Sequence, residues 1–86
     1  MHTLSAPSPH VPALTPREEE VVLAWFAATS KGQVARQLHV SEDTVRSHIT
    51  NVRQKYLAGD RSVSTKSELL LRFIEDGRFP AGRLNG

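Results

Sequence analysis

The chain of 86 residues contains no cysteine. Disulfides and thiolate metal sites are therefore excluded, a composition that suits a reducing cytoplasm. No apolar run approaches the ~20 residues of a membrane span, and no signal peptide is visible at Met1. Gly32 and Gly59 stand isolated, so there is no glycine-rich loop to cradle a phosphate. No G-x-S-x-G elbow occurs and no Ser/His/Asp set converges, which leaves catalysis without support. His2, His10, His39 and His48 lack any paired helical spacing, so neither a metal nor another cofactor is expected. Strand alternation and internal repeats are missing as well. What remains is an all-α chain, too short for two cores. A domain of this size buries only about 60% of its unfolded surface, and its core should supply roughly 3–5 kcal/mol.

The formal net charge is only +2, and its placement says more than its size. Residues 31–61 hold Lys31, Arg36, Arg46, Arg53, Lys55 and Arg61 against Glu42, Asp43 and Asp60. Residues 16–28 hold Arg17 against Glu18, Glu19 and Glu20. Such polarity orients a domain in the field of a polyanion, although an ordinary solvated mix of charges is an equal reading of the same residues.

Residues 1–13, with Pro7, Pro9 and Pro12 and no apolar period, read as a flexible linker or arm. The folded part is expected over 14–79, with a disordered tail over 80–86. Thr15 followed by Pro16 and Glu18 forms a capping-box start, and Val21, Val22, Ala24, Trp25 and Ala28 supply that helix's buried stripe. Ser30 with Gln33 opens a second helix, and Ser41 before Glu42 and Asp43 opens a third, running to about Tyr56 or Leu57. Residues 58–64 read as a loop. Thr65 or Ser67 caps a fourth helix, Thr65 with Glu68 repeating the capping-box spacing; Leu69, Leu70, Phe73 and Ile74 give it its core face, and Gly77 stops it. Leu71 falls off that stripe. Trp25 and Tyr56 are read as core rather than stacking platforms, because duplex-binding helices rarely stack on bases.

The segment SKGQVARQLHVSEDTVRSHITNVRQKY combines a short amphipathic helix, a tight turn and a longer helix. That is the order and spacing of a helix-turn-helix, whose second helix enters the DNA major groove. Val34, Ala35 and Leu38 mark the buried face of the first helix; Val40, Val45, Ile49 and Val52 continue the core. Arg46, Ser47, His48, Thr50 and Arg53 point elsewhere, and they are donors. Two other readings fit the shape: a sigma-factor-like helix-turn-helix, and a helical interaction or dimerisation module that does not bind DNA. Binding that falls steeply and linearly with log salt separates DNA from a protein partner.

The runs LTPREEEVV, SKGQVARQLHVSEDTVRSHITNVRQKY and KSELLL resemble the C-terminal effector domain of LuxR/FixJ-type transcription regulators, over residues 14–74. The resemblance implies a compact four-helix domain in the cytoplasm that binds double-stranded DNA, as a homodimer on DNA, behind an upstream receiver or sensory domain of the two-component kind. It places Arg46, Ser47, Thr50 and Asp43 at base edges. Lys31, Thr44, His48 and Lys55 fall near phosphates, Arg53 joins them as a basic residue of the same helix, and Leu70, Leu71 and Ile74 lie at a dimer contact. The arginine fork suits guanine O6 and N7, and an aspartate accepts from cytosine N4. Three departures stand out. His39 takes a turn position where glycine is common, Asp43 replaces a usual lysine, and the 57–66 loop is longer than the family norm.

Overall fold

The computed structural model describes residues 11–79. The expected tail at 80–86 and the first ten residues of the expected arm lie outside the described residues. Within them the chain forms four helices and no strand: α1 (Pro16–Ala27), α2 (Lys31–Leu38), α3 (Glu42–Ala58) and α4 (Lys66–Glu75). Each start follows from a local hydroxyl cap. The Thr15 and Thr65 side chains accept from the Glu18 and Glu68 backbone N–H, and those glutamates reach back to the cap N–H groups. Ser30 and Ser41 cap α2 and α3 by accepting from Gln33 and Thr44. These bonds satisfy N–H groups that the first turn of a helix otherwise leaves open.

The core is one cluster. Val21, Val22 and Trp25 of α1, Val34 and Ala35 of α2, Val45, Ile49, Val52 and Tyr56 of α3, and Leu69 and Phe73 of α4 are buried together. Leu38 and Val40 are only partly buried against it. Trp25 and Tyr56 are core residues, as their place on the apolar stripes predicts. Phe26, beside the main stripe, meets Phe73 edge-on at 5.2 Å and stacks with Phe79 at 5.8 Å between ring centroids.

Ala24, read as part of the α1 buried stripe, is likewise only partly buried, and further positions differ from the sequence reading. Val63, in the stretch read as loop, is 1% exposed and belongs to the core. Ile74, read as core, is 56% exposed, and Leu70 is half-buried. At 100° per residue, α4 cannot turn four apolar side chains within six residues onto one narrow face, so Leu69 and Phe73, one helical turn apart, take the core.

The ends of α2 and α4 are closed by left-handed residues. His39 caps α2 at φ 59°, ψ 45°, where histidine is among the better-tolerated non-glycine residues. The following Val40 N–H donates to Ala35 O at 3.0 Å. Gly77, at φ 69°, ends α4 with bonds from its own N–H to Ile74 O and from Arg78 N–H to Phe73 O.

Beyond α4 the chain turns back over the bundle. Asp76, its side chain 4% exposed, accepts from the Tyr56 hydroxyl at 2.8 Å and from Arg61 at 2.9 Å. Arg78 donates to Tyr56 Oη and to Glu19, each at 2.9 Å, and also to Pro12 O. One network thus joins the segment before α1, α1 itself, α3, the 59–65 connection and the end of α4.

Candidate nucleic-acid interface

The turn at His39 sets α3 against α2 so that Val45, Ile49, Val52 and Tyr56 face inward. Helical periodicity then fixes the opposite face. Asp43, Arg46, Ser47, Thr50, Asn51 and Gln54 form it, and all six are exposed. Thr44, His48 and Lys55 lie half-buried on one flank and Arg53 on the other. Asn51 and Gln54 were not singled out from the sequence, although they stand four and seven residues after Ser47, on its own row.

Arg46 is held by acids of its own helix. Its Nη1 donates to Asp43 Oδ1 at 2.6 Å and its Nη2 lies 3.5 Å from Glu42 Oε1, with 52% of the arginine side chain exposed. Asp43 is 90% exposed. Exposed pairs of this kind are worth about 0.2–1 kcal/mol, so the guanidinium exchanges them readily for another acceptor. Thr44 shares a hydrogen bond of 2.9 Å with the capping Ser41 hydroxyl.

Lys55 is differently engaged. Its Nζ donates to Glu18 Oε1 at 2.7 Å and to Ala13 O at 3.4 Å. Glu18 is 6% exposed. Burial alone raises the pKa of its carboxyl. Hydrogen bonds from Lys55 and from the Thr15 backbone, with the Lys55 charge, outweigh burial and hold the group below the ordinary carboxylate range. A carboxyl depressed in the folded state stabilises the protein above its unfolded pKa, about 4.3, and that contribution is lost as pH falls through the folded value. Lys55→Ala strands the carboxylate and should cost about 1–3 kcal/mol at neutral pH. In denaturant titrations across pH it should also flatten the acid-side loss of stability. A variant as stable as the parent, with the same acid limb, would contradict this pairing.

Lys31, Arg53 and Lys66 converge on Trp25, at 5.5, 5.4 and 4.9 Å from its ring centroid. Among the described residues, no group of three or more His, Asp or Glu side chains is arranged to hold a metal. No helix among them is long and apolar enough to cross a membrane.

The profile "Bacterial regulatory proteins, luxR family" matches residues 12–67, which span α1, α2, α3 and the start of α4. The chain belongs to the luxR family of bacterial regulatory proteins. This luxR-family chain is also similar to the "Spore germination protein GerE" of Bacillus subtilis (strain 168). The two are 41% identical over 64 residues, covering 74% of this chain and 86% of that protein. No solved structure matches significantly. Membership makes the α2–turn–α3 unit the DNA-binding helix-turn-helix of a non-enzymatic transcription regulator.

Proposed function

We propose that α3 lies in the major groove and reads sequence through Arg46, Ser47, Thr50 and Asp43. Lys31, Thr44, His48, Arg53 and Lys55 then set its register on the phosphates. The observation that carries this reading is the row of exposed polar side chains on α3, opposite four buried residues of the core. Arg46 is its strongest base reader, because a bidentate fork to guanine discriminates by about 1–3 kcal/mol. The modest net charge assigns the phosphate contacts to a few placed cations rather than to a general basic surface.

We also infer pairing on DNA through α4, where Leu71 and Ile74 are 48% and 56% exposed beside the half-buried Leu70. So small a patch suits domains brought together by two half-sites about one helical turn apart. An upstream receiver or sensory domain would supply the same tethering. In the Bacillus relative, 64 matched residues already make up 86% of the protein, which leaves no room for one. Pairing driven by the DNA itself serves either arrangement.

Arg46→Ala tests the base assignment. Because its pairs are exposed, folding stability should stay within about 1 kcal/mol. Affinity for the preferred duplex should fall by about 1–3 kcal/mol, and a selection from random duplexes should show relaxed preference at one position. Unchanged affinity and preference would remove Arg46 from the reading set.

A further inference from the structure

We propose that Trp25 seats Lys31, Arg53 and Lys66 as a cradle for the DNA sugar-phosphate backbone, in which α4 contributes to DNA binding through Lys66. The inference rests on the duplex-DNA reading above and adds to it a contact outside the α2–turn–α3 unit. The three cations come from three different helices, yet each lies within 5.5 Å of one ring centroid. A buried indole attracts each of them through its π face. They nonetheless repel one another, and among the described residues none has a carboxylate partner. Arg17, Arg46, Lys55, Arg61, Arg72 and Arg78, in contrast, are each ion-paired, and Arg36, which has no carboxylate partner either, stands alone and exposed on α2.

The donors that remain point to an anion. Among the described residues the Arg53 side chain makes no hydrogen bond, and because its Nε is shielded from solvent its terminal amino groups are the donors open to an incoming oxygen. Lys66 Nζ donates to Ala28 O at 3.2 Å, which occupies one of its three protons and fixes the ammonium beside the ring. Phosphate oxygens relieve the mutual repulsion and accept from all three groups. Lys31 starts α2 and Arg53 flanks the reading face of α3, so a strand crossing both passes the start of α4.

Lys66→Gln removes the charge while keeping most of the stem. Its affinity for a random-sequence duplex should drop roughly tenfold near 0.1 M salt, and the slope of log affinity against log salt should shrink by about one, alike for every sequence. Lys66→Arg should restore both, and Arg72→Gln, which removes a cation already paired with Glu75, should change the slope less. Trp25 is the chain's single tryptophan. Its emission should therefore shift when the parent protein binds the duplex, and shift less in Lys66→Gln. Lys31→Gln serves as the second variant should Lys66→Gln fail to fold. A folded Lys66→Gln protein with the parental slope would overturn the cradle while leaving the DNA reading intact. A loss confined to one sequence would overturn it too, by making Lys66 a base reader. If the parent itself binds duplex without salt dependence, the DNA reading falls first and the cradle with it.

Discussion

Asp76→Ala is expected to lower folding stability by about 3–5 kcal/mol, as much as the roughly 3–5 kcal/mol a core of this size supplies. The carboxylate is nearly inaccessible and serves the Tyr56 hydroxyl and Arg61, with Arg78 3.8 Å away. The two arginine side chains are only 15% and 11% exposed. Without Asp76, Arg61 keeps only the more exposed Glu75 and Arg78 only Glu19, so both charges are under-compensated in a poorly solvated site, and removing one partner of such a group costs far more than an exposed pair. Denaturant unfolding should show a protein largely unfolded in buffer, with Asp76→Asn intermediate because an amide still accepts from Tyr56. The same contact has an alkaline signature. Burial and the hydrogen bond to Asp76 push the Tyr56 hydroxyl up to about 12. An unfolded tyrosine ionises near about 10. Its contribution is thus complete below that pH and is lost as pH rises between the two values. Since the chain has one tyrosine, an ultraviolet titration reads it directly. An Asp76→Ala protein as stable as the parent would show that the network is solvated and adds little.

The contrast between this network and the helix starts explains what the chain made legible. Thr15 with Glu18, Ser30 with Gln33, Ser41 with Thr44 and Thr65 with Glu68 are contacts over three residues, and all four form. Short spacings leave little geometric freedom, so residue type and order suffice. The left-handed His39 and Gly77 are local in the same sense. Pro12, Glu19, Tyr56, Arg61, Asp76 and Arg78 meet only after the bundle closes, and no period or spacing links them. Val63 escaped notice because one β-branched residue among serines carries no periodic signal. Glu18 was legible as a capping residue. Its ion pair with Lys55, 37 residues away, was not, and that pair engages a lysine whose place on α3 suggested a phosphate contact.

The reading face of α3 was legible for the same reason as the caps: once Val45, Ile49 and Val52 are assigned inward, helical geometry exposes Asp43, Arg46, Ser47 and Thr50. The Trp25 cluster was not. It gathers Lys31, Arg53 and Lys66 across three helices, and the sequence alone points only the first two to phosphate. Tertiary packing, rather than residue type, puts Lys66 with them.

Phe73→Ala should unfold the domain, and comparison with Ile74→Ser shows why adjacent residues of α4 have different tasks. Phe73 is wholly buried, with ring centroids of Phe26, Tyr56 and Phe79 at 5.2, 6.1 and 6.5 Å. Truncation removes the side chain on which α4 rests against α1 and α3, and phenylalanine-to-alanine changes in cores cost about 3–5 kcal/mol. With roughly 3–5 kcal/mol in total, little folded protein should remain, and both far-ultraviolet dichroism and DNA binding should be lost together. Ile74, at 56% exposed, should tolerate serine within about 0.5 kcal/mol. If α4 is the pairing surface, Ile74→Ser should keep its affinity for a single half-site and lose the second domain on a two-half-site duplex, as read by sedimentation. Full occupancy of both half-sites with undiminished affinity would remove Ile74 from the pairing surface. A folded, DNA-binding Phe73→Ala protein would mean that α4 is not needed to hold α3 in place.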